Sequence, residues 1–263
     1  MRPPARLDPP HLPDAFTWIQ QPWGALLQCA PLARIAMHGW TTRELAIVGA
    51  AADCEPQWQQ LAAAGGVPRE SLAAVHQVHG AAVIDVRPGE ARERPRADGL
   101  VSGDPSLMLS VRVADCAALL IADRRRGAVA AVHAGWRGTA AGIAAAAVAQ
   151  LRKLHGSDPR DLVAALGPSI GPCCYTVGEE LREAFRRAGQ DDVDLGRWFR
   201  HGERLELDLW TANHDQLEAA GVPGSAIYVS GLCTGCHPEW FYSYRREGTA
   251  AGRLVGFIRA SEA

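Results

Sequence analysis

The chain has 263 residues, of which 48% are hydrophobic and 21% are charged, and its formal net charge is −2. This balance leaves no basic stripe for nucleic acid, and no apolar run is long enough to cross a membrane. We therefore expect neither nucleic acid nor a membrane as a partner. The N-terminus has no apolar signal segment, so the seven cysteines are expected to be reduced thiols in the cytoplasm.

Proline dominates the start of the chain, where two Pro-Pro pairs lie within ten residues. Such a segment buries too little apolar surface to fold, so residues 1–15 are predicted to be disordered. The rest of the chain contains no internal repeat and no stretch with the composition of a linker. Residues 16–263 are therefore predicted to form a single domain.

Apolar runs alternate with glycine and proline turns along this domain and predict its elements in chain order. Strands are expected in the regions Leu26–Trp40, Ala81–Val86, Leu107–Val113, Ala117–Ala122, Gly127–His133, Leu162–Leu166, Ala226–Ser230 and Leu254–Ile258. Helices are expected over Pro56–Ala64, Thr139–Leu154, Gly178–Ala188 and Leu209–Ala220. Strands and helices do not alternate strictly, so the pattern favours an α+β (mixed α/β) fold, a layered sandwich of mixed β-sheets flanked by helices.

Three residues have the donor chemistry of a metal site and unusual local contexts. They are His79 in V-H-Q-V-H-G, Cys116 in V-A-D-C and His133 in A-V-H-A-G-W-R-G. Two imidazoles and one thiolate suit zinc, and three protein ligands leave the open position that is typical of a catalytic zinc. Asp115 lies in an apolar stretch, where a carboxylate needs a partner. We expect it to orient a ligating histidine or to transfer a proton.

The glycine turn after His133 carries two further candidates. Trp136 can stack on a planar ring, and Arg137 can bind phosphate beside a helix N-terminus. The alternative interpretation is structural, with Trp136 packed on the helix and Arg137 bonded to a carbonyl oxygen.

Four cysteines form two local pairs. Cys233 and Cys236 belong to a C-x-x-C-H segment, the pattern of c-type haem attachment. Haem attachment is expected in exported proteins, so we predict free thiols that bind no haem. Cys173 and Cys174 form a vicinal pair in a loop rich in glycine and proline, and free thiols are predicted there too.

Eight segments in this order resemble the YfiH family: V-H-Q-V-H-G, A-D-G-L-V-S, V-A-D-C, V-H-A-G-W-R-G, L-G-P-S-I-G-P, D-L-W-T-A-N, C-T and F-Y-S-Y-R-R. The family carries the names laccase-domain protein, multicopper polyphenol oxidoreductase, peptidoglycan editing factor and purine nucleoside phosphorylase. The resemblance covers the chain from about residue 35 onwards. It implies a YfiH-like layered fold with zinc (Zn2+) as cofactor, held by His79, Cys116 and His133.

The resemblance also implies a reaction between a purine nucleoside and phosphate. The expected substrates are adenosine, inosine, guanosine and methylthioadenosine, with adenosine deamination as a further activity. We expect Cys116, His133 and Asp115 to be catalytic, in a monomer or a weak homo-oligomer. Substrate binding is expected at Arg43, Gln77, Trp136, Arg137, Tyr244 and Arg245, where guanidinium groups suit phosphate.

Other functions stay open at this point. A Cys–His hydrolase, with Cys116 as nucleophile and His133 as base, would act on peptidoglycan precursors. A polyphenol oxidase is disfavoured, because a multicopper cluster needs many histidines and this chain has nine, none in an H-x-H pair. A degenerate binding protein is the fourth interpretation. It rests on one departure from the family pattern: after Arg43 the family's Gly-Gly-Val-Ser loop is missing, and the chain continues directly into residues 44–49.

Overall fold

The computed structural model describes residues 8–48, 54–91 and 94–261. Residues 1–7, which are predicted to be disordered, therefore lie outside the described residues. So does Gly49, the last residue of the shortened region, by which we mean residues 44–49 after the missing loop. Residues 8–15 form neither helix nor strand. The extent of the single domain stays a prediction.

Strands and helices follow one another without a regular alternation. The strands are β1 (Phe16–Gln21), β2 (Gly24–Cys29), β3 (Ala36–Thr41), β4 (Leu72–Ala74), β5 (Val83–Asp85), β6 (Gly99–Ser102), β7 (Met108–Val113), β8 (Ala117–Asp123), β9 (Val129–Ala134), β10 (Leu162–Leu166), β11 (Phe199–His201), β12 (Leu205–Leu207), β13 (Ile227–Val229) and β14 (Leu254–Ala260). The helices are α1 (Ala30–Ala33), α2 (Glu55–Ala64), α3 (Trp136–Ala140), α4 (Ile143–His155), α5 (Glu179–Arg187), α6 (Asp192–Trp198), α7 (Leu209–Ala219) and α8 (Tyr244–Glu247).

Most strands belong to two six-stranded mixed sheets. The first has the order β1-β2-β3-β14-β7-β4, with a parallel pair only between β4 and β7. The second has the order β13-β10-β8-β9-β6-β5, with a parallel pair at each edge. A separate hairpin joins β11 to β12.

The main core lies between the two sheets. Strand β8 shows why, because successive side chains of a strand point to opposite faces. Ala118 and Leu120 pack into the core between the sheets, whereas Leu119 and Ile121 pack on the other face. Trp40 of the first sheet donates its indole N–H to the carbonyl oxygen of Ala118 in the second sheet, at 2.9 Å. Both sheets are thus held together by apolar burial and by a satisfied buried polar group.

Helices cover the outer faces of both sheets. Trp58 and Leu61 of α2 pack with Phe257 on the first sheet. Val148 of α4 and Leu217 of α7 pack on the second sheet. The expected class is therefore confirmed: an α+β layered sandwich of mixed sheets flanked by helices. No helix in the described part of the chain has both the length and the apolar character needed to span a bilayer.

Most predicted elements are present with their ends shifted by a few residues, and one prediction is wrong in kind. The single helix predicted over Thr139–Leu154 is two helices, α3 and α4, separated at Gly142, whose φ of 76° is incompatible with a continuous helix. The turn expected over Gly135–Gly138 is the start of α3. Eight short elements were not predicted, because three to seven residues carry little periodicity: β1, β4, β6, β11, β12, α1, α6 and α8.

Candidate metal centre and substrate cleft

The register between β8 and β9 brings Cys116 beside His133. These strands are antiparallel, and Ala117 pairs with Ala134 while Ala118 pairs with His133. Cys116 immediately precedes β8, so it lies opposite the end of β9. A thiol and an imidazole that are 17 positions apart in sequence thus meet at one end of two central strands of the second sheet.

His79 reaches the same point from a loop that wraps around a carboxylate. The backbone N–H groups of Val78, His79 and Gly80 donate to the Asp98 side chain at 3.1, 2.9 and 2.7 Å. His79 adopts a positive φ of 60°, which is uncommon for a residue with a side chain. The carboxylate stabilises this loop and holds the backbone at His79.

Asp98 also orients His133. The Asp98 carboxylate oxygen Oδ1 lies 2.8 Å from Nδ1 of His133 and accepts its N–H, so Nε2 is left for another partner. The backbone N–H of His133 donates to the Asp98 carbonyl oxygen at 2.7 Å. Burial alone would raise the pKa of Asp98, but His133 and the backbone N–H groups outweigh it and lower that pKa. Asp98 thus stays a carboxylate, and sequence reasoning had not singled it out.

The three side chains fit a zinc ion. Their donor atoms all lie within 4.8 Å of one another, and the rings of His79 and His133 are 4.8 Å apart at an angle of 80°. A tetrahedral zinc holds its donors roughly 3.3–3.8 Å apart, which small side-chain rotations would reach. A carboxylate on the far nitrogen of a ligating histidine is a common companion of such sites. His133 is buried and His79 is exposed, so the centre is open on one side.

Cys116 and His133 also influence each other's charge. Burial raises the pKa of the Cys116 thiol, but the charge of His133 and hydrogen bonds from both histidines outweigh it and lower the pKa to about 6. Burial lowers the pKa of His133, but the Cys116 charge and Asp98 raise it to about 9. The thiolate, which is the form that binds metal, is therefore favoured at neutral pH.

Asp115 does not orient a histidine, contrary to one of our two expectations for it. Its carboxylate accepts the Thr234 hydroxyl and the backbone N–H of Arg245, both at 2.6 Å. Its φ is 83°, and with His79 it is one of two non-glycine residues with positive φ in the described chain. Such strain concentrates at functional sites. The sharp turn between β7 and β8 thereby ties Asp115 to the segment that carries Arg245.

A cleft of about 880 Å³ opens beside the three candidate ligands. Nine predicted site residues line it: Gln77, His79, Asp115, Cys116, His133, Trp136, Arg137, Tyr244 and Arg245. The amide of Gln77 also exchanges two hydrogen bonds with the backbone of Arg112, at 2.7 and 2.9 Å. The structure thus brings these residues together around one space.

Arg43 is the one predicted site residue that does not line this cleft. Its guanidinium group donates to the carbonyl oxygen of Pro238 and forms an ion pair with Glu247 at 3.3 Å. It also lies over the Tyr242 ring, 4.6 Å from the ring centre. The structure therefore engages Arg43 in the contacts between its loop and the C-terminal segment.

Four arginines line the cleft: Arg112, Arg137, Arg245 and Arg253. None of them forms an ion pair with an acidic side chain of the described residues. Burial, together with the charges of Arg94 and Arg253, lowers the pKa of Arg112. Arg112 and Arg253 were missed by sequence reasoning, since nothing local marks their side chains as facing the ligands. The cleft therefore offers an anion several cations that lack a negative partner.

Aromatic rings support two of these cations. Arg137 lies over Trp136, 4.3 Å from the ring centre, and Arg245 lies over Tyr175 at 5.0 Å. Trp136 packs against the cluster around α6 and α7, as the structural interpretation of this residue predicted. It lines the cleft at the same time, so the two interpretations are compatible.

The four remaining candidates, Cys173, Cys174, Cys233 and Cys236, are not two unrelated pairs. Their sulfur atoms lie within 4.8 Å of one another. None of the four forms a disulfide. A third group, His214, Asp215 and Glu218, lies on α7. None of these groups in the described chain contains the many histidines of a multicopper cluster.

Comparison with known proteins identifies the family. The family described as "Multi-copper polyphenol oxidoreductase laccase" matches residues 41–261. The chain belongs to this family. Its expected relationship to YfiH proteins is confirmed by homologues that carry the names YfiH and YlmD.

Several relatives carry names of enzymes. The "Purine nucleoside phosphorylase YlmD" of Geobacillus stearothermophilus is 37% identical over 203 residues, which cover 74% of each chain. A "Purine nucleoside phosphorylase" of Bacteroides thetaiotaomicron is 38% identical over 161 residues, 61% of this chain and 60% of the relative. The "Adenosine deaminase RL5" of an unknown prokaryotic organism is 36% identical over 203 residues, 74% of this chain and 77% of the relative.

Solved structures agree with this assignment. The crystal structure of YlmD from Geobacillus stearothermophilus has a TM-score of 0.82 and 33% sequence identity, and the match covers 95% of this chain and 100% of that one. The crystal structure of the hypothetical protein YfiH from Bacillus licheniformis has a TM-score of 0.83 at 28% identity, covering 90% and 96%.

Proposed function

We propose that this protein is a zinc-dependent purine nucleoside phosphorylase whose ion is held by His79, Cys116 and His133. One observation carries the proposal: the cleft that contains these three donors also contains four arginines without acidic partners. A phosphate co-substrate needs such cations, and a metal needs such donors. The names of the relatives from Geobacillus and Bacteroides support the same reaction.

Three protein donors would leave one coordination position of a bound zinc ion open for chemistry. Bound zinc supplies a Lewis acid that polarises an oxygen atom or activates a water molecule. The protein side contributes the donor geometry. His133 presents Nε2 because Asp98 holds its Nδ1–H, and Cys116 contributes a thiolate.

The four arginines of the cleft would bind the phosphate. In phosphorolysis a phosphate oxygen attacks C1′ of the nucleoside while the bond from C1′ to the purine nitrogen breaks. Guanidinium groups bind phosphate oxygens in pairs and neutralise their charge, so the two reactants can approach. We assign this function to Arg112, Arg137, Arg245 and Arg253.

Asp115 positions the site. Its two carboxylate oxygens accept short hydrogen bonds from the Thr234 hydroxyl and from the backbone N–H of Arg245. We assign Asp115 the role of an anchor for the Arg245 segment, because both of its oxygens are engaged in these contacts. Trp136 and Tyr244 provide the aromatic faces on which a purine ring can stack.

The test compares inosine turnover with and without phosphate. The zinc-loaded protein should release hypoxanthine and form ribose 1-phosphate in equal amounts, and both products should depend on phosphate. Hypoxanthine release at the same rate without phosphate, with free ribose as the product, would indicate a hydrolase and refute the proposal.

Adenosine deamination is a second candidate activity, and the relative named adenosine deaminase RL5 supports it. A zinc ion held by His79, Cys116 and His133 would supply the water-activating chemistry that deamination needs, in which oxygen from water replaces the C6 amino group of adenine and ammonia leaves. Formation of inosine from adenosine in phosphate-free buffer measures this activity separately from phosphorolysis.

One geometric observation favours a hydrolase as the alternative. Asp98, His133 and Cys116 follow one another as carboxylate, base and thiol, the arrangement of a nucleophile with an oriented base. Such an enzyme would act on peptidoglycan precursors without metal. Activity that survives chelation and is abolished by thiol alkylation would support it over the phosphorylase.

The remaining expectations concern the surroundings of the enzyme. None of the seven cysteines forms a disulfide, which is consistent with the expected cytoplasmic location. A monomer or weak homo-oligomer, and the lack of nucleic-acid and membrane partners, stay predictions.

A further inference from the structure

We propose that Cys173, Cys174, Cys233 and Cys236 form a second zinc site, a closed tetrathiolate centre that holds one wall of the cleft in place. This site is separate from the His79 centre and does not depend on the proposed reaction. Four thiolates complete the coordination of zinc, so the site is structural rather than catalytic.

The topology explains why the four cysteines meet. Strands β10 and β13 are parallel neighbours, with Ala164 paired to Ile227 and Leu166 paired to Val229. The loops that follow parallel neighbours leave the sheet at the same edge. The first loop carries Cys173 and Cys174, and the second carries Cys233 and Cys236.

A backbone bridge keeps the two loops in register beyond the strands. Ser169 pairs with Cys233 in a parallel bridge. The N–H of Ser169 donates to Leu232 at 3.1 Å, and the N–H of Thr234 donates to Ser169 at 3.0 Å. Paired backbone segments therefore hold the four cysteines close together.

The sulfur positions match a tetrahedral ion. Cys236 Sγ lies 3.5 Å from the Sγ atoms of both Cys173 and Cys174, and all four sulfurs lie within 4.8 Å of one another. In a tetrathiolate zinc site with Zn–S bonds of about 2.3 Å, the sulfurs are roughly 3.8 Å apart. A disulfide would need about 2.0 Å between two of them. The observed sulfur–sulfur distances, from 3.5 Å up to at most 4.8 Å, thus include the distance expected around a shared zinc ion and exclude a disulfide.

The C-x-x-C turn has the local features of a metal-binding turn. The N–H of Cys236 donates to the Cys233 carbonyl oxygen at 3.2 Å, which closes the turn. The N–H of Gly171 donates to the Cys233 sulfur at 3.3 Å, which ties this sulfur to the loop that carries Cys173 and Cys174. Gly235 is needed for close approach, since a Cβ atom there would lie 2.8 Å from Cβ of Cys174.

The same turn contacts the substrate cleft. Thr234, between the two cysteines, is fully buried and donates its hydroxyl to Asp115 at 2.6 Å. Tyr175 directly follows Cys174 and lies under the Arg245 guanidinium. Arg246 donates to the Gly235 carbonyl oxygen at 3.1 Å. Removal of the ion would therefore release Asp115 and the Arg245 segment from one anchor.

The test measures the metal content and the metal ligands of the full-length protein. Zinc-loaded wild type should contain two zinc ions per chain, bound by five sulfur and two nitrogen ligands in total as seen by X-ray absorption. The double variant Cys173→Ser/Cys236→Ser should contain one ion, with one sulfur and two nitrogen ligands. His79→Ala should lose the other ion and retain a pure sulfur environment. Cys54→Ser, a buried free cysteine outside the cluster, is the matched control and should keep two ions.

Cobalt provides a readout that needs no variant to fold. Cobalt-substituted wild type should show the intense sulfur-to-metal absorption of a tetrathiolate centre in addition to the weaker bands of the His79 centre. A single zinc ion per chain with two nitrogen ligands would overturn the proposal. So would an iron centre in the cluster, or disulfides among the four cysteines in the protein as isolated. Because the phosphorolysis assay is not used, failure of this proposal and failure of the proposed function are separate results.

Discussion

The Asp98 carboxylate lies 2.8 Å from Nδ1 of His133 and also accepts the backbone N–H groups around His79. One buried side chain therefore orients the ring of His133 and holds the backbone at His79, the positions of two of the three candidate zinc ligands. Substitution of Asp98 should therefore lower the affinity for zinc more than it changes the rest of the cleft.

Asp98→Asn should weaken zinc binding by roughly 10- to 100-fold, the usual effect of removing a partner of a ligating histidine. The amide oxygen accepts the Nδ1–H of His133 more weakly than the carboxylate does. The amide NH2 group can instead donate to Nδ1, which favours the tautomer without a lone pair on Nε2. Competition with a chelator measures the affinity. The matched control is Asp85→Asn, which alters a second Asp–His pair, with His155 at 3.1 Å, away from the cleft. Equal zinc affinity in the two variants would contradict the assignment.

Arg112→Gln should raise the KM for phosphate by roughly 10- to 200-fold, since one lost substrate contact costs about 1–3 kcal/mol. Zinc content should stay unchanged, because Arg112 is not among the donors. Initial rates at varied phosphate and saturating inosine give the effect. Arg187→Gln, on the exposed face of α5, is the control for loss of a positive charge. A change in the KM for inosine alone would remove Arg112 from the phosphate site.

Acid should destabilise the fold through His38. This side chain is fully buried; its Nε2 accepts the Cys29 N–H at 3.0 Å, and its Nδ1 donates to Ala36 at 3.1 Å. Burial, partly offset by the Ala36 carbonyl oxygen, lowers the pKa of His38 from 6.5 to about 4. As the pH falls, His38 is therefore protonated in the unfolded chain at a higher pH than in the folded protein. Its contribution to the free energy of unfolding is complete above pH 6.5 and is lost as the pH falls towards 4.

The loss at His38 should amount to about 3 kcal/mol across that range. Urea unfolding of wild type and His38→Gln at pH 7 and pH 5 measures it. The variant has a lower stability at pH 7 and should show a smaller decrease between the two pH values. An equal decrease in both proteins would show that other groups cause the acid sensitivity.

The shortened region after Arg43 should widen the range of nucleosides without disturbing the zinc centre. Ile47 lines the cleft at the end of this region, whereas the metal donors lie on other segments. A lost positioning contact lowers discrimination by roughly 10- to 200-fold. Insertion of Gly-Gly-Val-Ser between Arg43 and Leu45 should raise kcat/KM and narrow the range at constant zinc content. Fast, selective turnover of one nucleoside by the natural chain would show that the loop is dispensable.

Sequence reasoning found those parts of the site that local context reveals. His79, Cys116 and His133 stand in short unusual segments, and the layered sandwich follows from apolar runs that do not alternate regularly with helices. Asp98 was missed because its role depends on three backbone N–H groups of a loop 18 to 20 residues earlier. The pattern of side chains in a sequence does not show which backbone N–H groups will surround a carboxylate.

Two other parts of the structure depend on pairing between distant segments. The cysteine cluster requires β10 and β13 to be parallel neighbours, although some 60 residues separate them in the chain. Had that pairing been assumed, a vicinal Cys pair after one strand and a C-x-x-C turn after the other would have predicted the cluster. Arg112 and Arg253 reach the cleft from β7 and from the start of β14, which pair with each other in the first sheet.

The central claim is that the zinc centre of His79, Cys116 and His133 supports phosphorolysis. It is tested most directly by following ribose 1-phosphate by phosphorus NMR in one preparation: zinc-loaded, stripped with a chelator, and reloaded. Inosine and phosphate should give ribose 1-phosphate with the loaded protein, none after stripping, and the original rate after reloading, while Cys116→Ala should stay inactive throughout. Ribose 1-phosphate formed at full rate by the stripped protein would contradict the claim.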